Sequence, residues 1–513
     1  MSFSVTYRRR VVDHRPKRAR RVRDVLMRDV LMRDVLMRDV LMILSVVSVL
    51  SGASLSAKAD STAHNTGHND AMLRDNLSHA VLLRDRALSG SQAMAIVTSL
   101  TTEVGPRLAG SEAEARAREW ALSRLADLGL ERIRAEGFEM TAWQRHAEQA
   151  DIMVPFPQPL AVTALGGSVS TPVAGLTGEV VLFDSLATLK AATREQVSGK
   201  IVYVGHTMQR TQDGSSYGYL NPVRTAGPSV AAQKGAIAYL LRSIGTDSHR
   251  FPHTGSLRYA ENTPHIPALA LSNPDADQVE RILSKGVELV VRLTVDTSLV
   301  PAAQSANVIA EILGHAAPEE VVVIGAHLDS WDLGTGAIDD GAGVGITMAA
   351  MALIKEAGLT PRRTIRLVLW GAEEVGLLGA LAYRDRHQEA LADHIIGSES
   401  DFGGGRIWKI TADSQSQAGD QLLAHMADIL LPLGIAPGSN DQPGGGPDLI
   451  PLVPEGVPTL RLHQDGRDYF DLHHTADDTV DKLDAASLDQ NVAAFAVVAW
   501  LAANSDVGFR KAP

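Results

Sequence analysis

Thr364-Ile365-Arg366-Leu367-Val368-Leu369-Trp370-Gly371-Ala372-Glu373-Glu374 is the stretch on which the fold turns. From Thr364 to Trp370 the residues are apolar or β-branched with one interruption, Arg366, a pattern that predicts a strand buried on both faces. The strand runs out through Gly371 and Ala372 into two adjacent carboxylates. Strands buried on both faces belong to parallel sheets covered by helices, and such sheets collect ligands at the carboxyl ends of their strands.

Working outward, 307–312 and 321–324 read as further strands, the second leaving through Gly325 and Ala326 into His327. Residues 341–357 predict a small-residue helix, 380–389 a second helix, 394–399 a strand that leaves through Ser400 into Asp401, 458–462 a strand and 488–501 a closing helix. The alternation predicts an α/β fold with a mixed, mostly parallel sheet flanked by helices. Upstream, Gly105-Pro106-Arg107-Leu108-Ala109-Gly110-Ser111 is a turn-rich loop, and Ser111 with Glu114 marks the start of a helix that carries Trp120, Leu122, Leu125 and Leu128 and ends at Gly129. Between about Ala161 and Val295 the texture changes to short β-branched runs (178–183, 199–204, 235–241 and 266–272) separated by Gly and Pro, which predicts an inserted, mainly β module. A Pro, Ala and Ser linker over 298–305 returns the chain to regular alternation. The expected organisation is therefore a basic leader and signal peptide over 1–59, the first part of a main domain over 60–160, the insertion over 161–297, and the second part over 298–513.

The chain has 513 residues, enough for two domains, and its 45% hydrophobic and 21% charged content excludes both disorder and a multi-span membrane protein. Residues 40–50 are apolar but too short to span a bilayer, and they suit the core of an export signal cleaved after Ala57-Lys58-Ala59. Arg-Asp-Val-Leu-Met occurs four times from Arg23 to Met42, a period of five that matches neither helix nor strand and reads as a duplicated coding segment; Met37 is then the natural start. A basic nucleic-acid arm over 8–23 and a twin-arginine signal are the rival readings, but the arginines lie far from the apolar core. The first 59 residues carry thirteen Lys and Arg against five Asp, or +8, so the overall −12 leaves −20 on the rest. That acidity disfavours nucleic acid and anionic membranes as partners. No cysteine is present, so disulfides, thiolate metal sites and a cysteine nucleophile are excluded and any metal must be held by His and carboxylates.

His327, Glu373, Glu374 and Asp401 each follow a predicted strand by one to four residues, which gathers them on one edge of the sheet. With Asp329, Asp339 and His474 they form the carboxylate and imidazole set that holds two divalent metals over a water. Asp329 is spaced to back His327; Asp339-Asp340-Gly341-Ala342-Gly343 opens a helix, and one of its acids is suited to bridge two ions. Glu373 and Glu374 point apart, so one is expected to ligate and the other to stay free as a general base. Either His473 or His474 supplies the last imidazole. His387, His394, His425 and His463 read as ordinary packing or surface residues, and the glycine runs 403–405 and 444–446 as rims rather than phosphate loops.

At these residues the sequence resembles the co-catalytic zinc exopeptidases of the bacterial leucyl aminopeptidase and aminopeptidase Y type, through His327-Leu328-Asp329, Asp339-Asp340-Gly341-Ala342-Gly343, Ala372-Glu373-Glu374-Val375-Gly376, Glu399-Ser400-Asp401 and His474-Thr475-Ala476-Asp477-Asp478-Thr479. Gly105 to Ser111, Ser330-Trp331-Asp332 and Arg366-Leu367-Val368-Leu369-Trp370 bring it nearest to the plasma glutamate carboxypeptidase, or carboxypeptidase Q, branch. The resemblance implies two zinc ions, Asp339 bridging them, Glu374 and His474 completing one site and His327 and Asp401 the other. It makes Glu373 the general base and Asp329 the residue that orients His327, and it makes the insertion a protease-associated lid that covers the active-site edge without supplying ligands. The residue that assists the oxyanion is not carried over; Tyr469 is a candidate. The implied activity is hydrolysis of the N-terminal peptide bond of dipeptides or short peptides by an exported enzyme, periplasmic or secreted, with no stable membrane anchor after cleavage and with room for a homodimer. A metal-free receptor of the same fold and a single-zinc glutaminyl cyclase are the alternatives.

Overall fold

The structure is a computed structural model that describes residues 59–441 and 444–510. The leader and export signal expected over 1–59 lie outside the described residues, except for Ala59, which begins α1 (Ala59–Leu88). After α2 (Ala93–Glu103) and α3 (Glu112–Asp127) the chain runs into a 24-residue strand, β1 (Glu131–Val154), then β2 (Gln158–Leu160), β3 (Val162–Ala164) and β4 (Leu176–Phe183). Helices α4 (Leu186–Ala191) and α5 (Arg194–Val197) precede β5 (Ile201–Val204), α6 (Ser215–Thr225) and α7 (Gly227–Gln233) precede β6 (Ala238–Arg242), and β7 (Ala268–Leu271) leads to α8 (Asn273–Leu283). The chain returns along β8 (Val290–Ile312) into β9 (Ala317–His327), α9 (Ala342–Glu356), β10 (Arg363–Trp370), α10 (Leu378–His387) and β11 (His394–Glu399). It closes with β12 (Ile407–Ala412), α11 (Gln417–Leu430), β13 (Ala436–Pro437), β14 (Leu460–Gln464) and α12 (Ala485–Ala503).

From Asp70 onward the chain is one compact unit built on a single eleven-stranded sheet, ordered β11-β9-β10-β8-β4-β5-β6-β7-β3 with β1 and β2 alongside. Strands β11, β9 and β10 are parallel, as are β4, β5, β6 and β7, and the two parallel groups meet at β8. Strand β8 reaches both because of its length: Val308 to Ile312 pair with β10, while Val290 to Leu293 pair with β4. Along nearly its whole length, from Val290 to Glu311, β8 also lies antiparallel to β1, with register shifts that include Met140/Ala142 and Arg145/Ala147.

The period-two rule of a strand sorts the core into two faces. Val322, Ile324, Ile365, Leu367 and Leu369 pack with α2, α9 and α12, whereas Val321, Val323, Val368 and Trp370 pack with Tyr383 of α10 and with Leu449, Leu452 and Val457. Helix α9 is buried from Ala342 through Ile354 because other elements surround it, and small residues let them approach: a Cβ on Gly345 would lie 2.5 Å from a methyl of Val97 in α2. At the start of α3, Ser111 Oγ accepts the Glu114 backbone N–H at 3.1 Å. The Glu114 carboxylate turns instead to Gly110 N–H, Arg118 and the Ser305 hydroxyl.

Three expectations need correction. The stretch 298–305, expected as a linker, is the interior of β8 and pairs with β1, because the extended backbone there is held by the ladder whatever its Pro and Ala content. The insertion is not mainly β: five short helices alternate with its strands, and their starts carry local signals such as Ser185 with Thr188, Thr193 with Gln196 and Ser272 before Pro274. Helices of 4 to 11 residues are too short to impose a 3.6-residue stripe against strong β-branched runs beside them. The strand near 458–462 forms as β14, but it joins β12 and β13 in a separate three-stranded sheet.

Candidate metal centre

Three parallel neighbours, β11, β9 and β10, end at one edge, and each delivers a ligand-type side chain there. His327 closes β9 opposite Trp370 of β10. Glu373 and Glu374 follow β10, and Asp401 follows β11. Ala372 makes the turn after β10 with φ 56°, a left-handed conformation that costs a non-glycine residue about 1–3 kcal/mol and is concentrated at functional sites.

Asp339, reached by the loop between β9 and α9, sits at the centre. Its Oδ1 lies 3.1 Å from His327 Nε2, and its Oδ2 lies 3.2 Å from His474 Nε2, so the two carboxylate oxygens face two different imidazoles. Asp401 Oδ1 is 3.6 Å from the same His327 nitrogen, and Glu374 Oε2 is 3.0 Å from His474 Nε2. The ligand atoms of His327, Asp339 and Asp401 lie within 4.8 Å of one another, as do those of Asp339, His473 and His474. Asp339 is common to both groups.

The surrounding bonds aim the ligands. His327 Nδ1 donates to the Asp329 carbonyl at 2.9 Å and His474 Nδ1 to the Thr254 carbonyl at 3.2 Å, which turns both Nε2 atoms towards the acids. The Asp329 carboxylate, 3.8 Å from His327 Nδ1, accepts instead the backbone N–H groups of Glu373 (3.0 Å) and Glu374 (3.3 Å). Asp329 therefore orients His327 through its main chain and fixes the glutamate pair through its side chain. Asp340 bonds His327 N–H at 3.1 Å and Gly343 N–H at 3.0 Å; a Cβ on Gly343 would lie 2.4 Å from that carboxylate, so this helix start tolerates only glycine. The Asp339–Asp340 peptide bond is cis.

The electrostatics are those of a site built for cations. Burial pushes Asp340, Glu373 and Glu374 up, and the negative charges of their acidic neighbours push further. Asp339 goes the other way: burial is outweighed by His327 and His474, and it stays well below the ordinary carboxylate range. Against the effect of burial, Asp339 and Asp401 raise His327 well above the usual imidazole range, and Glu374 with Asp339 brings His474 up to about 9. Asp339 Oδ2 and Glu374 Oε1 are buried with no hydrogen-bond donor, the condition of oxygens awaiting a metal, and an all-nitrogen-and-oxygen set suits zinc or a similar divalent ion.

Further side chains surround the set: the sequence offers His473 and Tyr469, but gives Trp331, Arg107, Asp478 and His253 no role. His473 stacks on His474 with centroids 3.5 Å apart, and its Nε2 is 3.5 Å from Asp339 Oδ2. Trp331 Nε1 donates to Glu374 Oε2 at 2.6 Å. Arg107, fully buried, ties the Leu328, Thr335 and Gly336 carbonyls together beneath the site; its signal was the turn-rich loop at 105–111. Asp478 accepts the Ile338 and Asp339 N–H groups, and burial beside Asp339 brings it up to about 7. His253 Nδ1 lies 2.7 Å from the His473 carbonyl and its Nε2 lies 2.6 Å from Asp247. Tyr469 lines the cavity above the cluster with Glu373, and burial beside Asp339, Asp401 and Glu374 raises its phenol well above the ordinary range.

Residues 307–499 match the model of Peptidase family M28. Carboxypeptidase Q of Mus musculus is 34% identical over 409 residues, and that of Homo sapiens 35% over 409; each alignment covers 79% of this chain and 84% of the relative. The crystal structure of a peptidase M28 precursor from Shewanella amazonensis SB2B superposes with a TM-score of 0.84 at 46% identity, covering 86% of this chain and 99% of that one. A zinc aminopeptidase from Bacillus subtilis gives 0.57 at 19% identity over 79% of this chain and 93% of its own, a likeness of fold alone.

Proposed function

The chain belongs to peptidase family M28 and is a metallo-exopeptidase, and from that premise we propose that it hydrolyses the N-terminal peptide bond of dipeptides or short peptides with two zinc ions and Glu373 as general base. The observation that carries this reading is the position of Asp339, whose two oxygens face His327 and His474 separately. His327, Asp339 and Asp401 would hold one ion, and Asp339, Glu374 and His474 the other. When bound, the ions would supply Lewis acidity that makes a water nucleophilic at neutral pH and offsets charge developing on the scissile carbonyl oxygen.

Among the described residues Glu373 has no side-chain hydrogen-bond partner; it lines the cavity and is held at its backbone by Asp329. In this reading its carboxylate takes a proton from the attacking water and returns it to the leaving amine nitrogen, so each turnover consumes one water and frees one amino terminus. Trp331, by donating to Glu374 Oε2, keeps Glu374 turned toward His474 and away from that proton transfer. Tyr469 is the candidate donor to the oxyanion. The insertion over 161–297 acts in this reading as a lid: Tyr217, Arg224 and Arg258 line the roughly 550 Å³ cavity together with the acids. The leader over 1–59 makes the enzyme exported, periplasmic or secreted.

The test is a panel of dipeptides and N-blocked dipeptides read by mass spectrometry, with chelation and zinc add-back. Release of the free N-terminal residue, abolished by N-blocking and by chelation, is expected. Pyroglutamate release from N-terminal glutamine peptides with no free amino acid would replace the peptidase reading with the cyclase one.

A further inference from the structure

Arg461 extends from β14 into the same cavity. Its guanidinium carbon sits 5.8 Å from the Phe402 ring centroid, and its Cδ is 3.9 Å from where a side chain on Gly444 would begin. Among the described residues its guanidinium makes no hydrogen bond and no ion pair. Asp401, Glu399 and Asp213 act on it only through space, and burial draws its pKa below the ordinary arginine value. Two other arginines line the cavity. Arg224 is committed, donating to the Tyr217 hydroxyl at 2.7 Å and the Thr254 carbonyl at 3.3 Å; Arg258 has no side-chain partner among the described residues.

A half-buried guanidinium without a partner is expensive unless something arrives to pair with it. The nearby acids are poor candidates: Asp401 is turned to His327, and Glu399 receives the Asp448 N–H at 2.9 Å behind the site. The planar fork of an arginine matches a carboxylate in two parallel hydrogen bonds, and stacking over an aromatic ring keeps that plane fixed. In a cavity whose floor is acidic, Arg461 is positioned to favour a substrate that brings its own anion.

We propose that Arg461 recognises a carboxylate of the peptide substrate and so determines which peptides the cavity accepts. The inference rests on the peptidase reading and deepens it. The carboxylate has two sources, the free C-terminus of a dipeptide or an acidic side chain, and the experiment separates them. Steady-state kinetics of the zinc-loaded wild type, Arg461→Gln, Arg461→Lys and Arg258→Gln are measured on Ala-Ala, Ala-Ala-amide and Glu-Ala-amide, with zinc content and Tm of each protein recorded.

The wild type is expected to prefer a carboxylate-bearing peptide over Ala-Ala-amide by at least about tenfold in kcat/KM, mainly through KM, and this ratio falls towards one in Arg461→Gln. Arg461→Lys, which keeps the charge without the fork, retains part of it and serves as the folded probe if the glutamine variant does not fold. A preference for Ala-Ala assigns the terminal carboxylate; a preference for Glu-Ala-amide assigns the side chain. Unchanged ratios in both Arg461 variants, collapse of the ratio in Arg258→Gln instead, or an equal loss on all three peptides would each overturn the assignment while leaving the peptidase standing. A zinc-loaded wild type that cleaves none of the three sinks both.

Discussion

The two parallel groups of strands in this molecule are alike in texture and opposite in use. Strands β5 and β6 are buried at every position, as β9 is from Val321 to His327, and both groups are covered by helices. What differs is the residue at each exit. Strands β9, β10 and β11 leave into His327, Glu373 with Glu374, and Asp401, whereas β6 ends in Arg242, paired to Asp277 and Glu280, and β7 leaves into Ser272, which caps α8. Burial of a strand therefore reports the fold, and the chemistry of its last few residues reports the function. The second group is still not idle, since Thr254 and His253 hold the His473–His474 backbone and aim the His474 ring.

Changes at the exits of the first group are expected to have the largest effects. Glu373→Ala should lower kcat by roughly 10²- to 10⁴-fold, the usual yield of a general base, with zinc content unchanged by metal analysis. Cleavage at the parent rate would remove Glu373 from the chemistry. Next, Asp339→Ala should release zinc from both positions while His327→Ala empties only one, read as zinc per chain after dialysis. Equal losses from the two variants would break the idea that Asp339 is shared.

Legibility followed the same division. The meeting of His327, Glu373, Glu374 and Asp401 at one edge could be read because each sits just behind a run of apolar residues. The choice between His473 and His474 could not, because both imidazoles end within 3.5 Å of Asp339 Oδ2 and the groups that touch the second ring, the Thr254 carbonyl and Arg224, come from some 220 to 250 residues away in the chain. Asp329 was expected behind His327, yet its carboxylate bonds the glutamate backbone, a contact that depends on the left-handed turn at Ala372 rather than on spacing. Strand β1 carried no readable stripe: its burial alternates irregularly, and its register shifts interrupt any period of two. The short helices of the insertion were lost for want of length.

A change in the second group tests how far it supports the first. His253→Ala removes the bond to the His473 carbonyl and should weaken zinc binding about 10- to 100-fold, as loss of an outer support to a metal ligand does, measured by competition with a chelator. Wild-type affinity would reduce the insertion to a cover. The smallest effect is expected on the ribbon between the groups. In β1, burial would raise Glu136, but His387 and Arg134 outweigh it and bring the carboxyl down to about 2. A depressed carboxyl stabilises the fold above its unfolded pKa, near 4.5, and that stability is lost as pH falls towards 2. Glu136→Gln should therefore cost on the order of 1–2 kcal/mol at pH 6, with the gap to wild type closing between about pH 4.5 and pH 2 in urea titrations.

In the proposed enzyme Asp339 lies between two metal positions and Glu373 ligates neither. Anomalous diffraction at the zinc edge from crystals of the zinc-loaded enzyme tests it most directly. The expected map has two peaks, one on each side of the Asp339 carboxylate, with Glu373 outside both coordination spheres. A single peak, or Glu373 bound to either ion, would rule out a shared Asp339 beside a free general base.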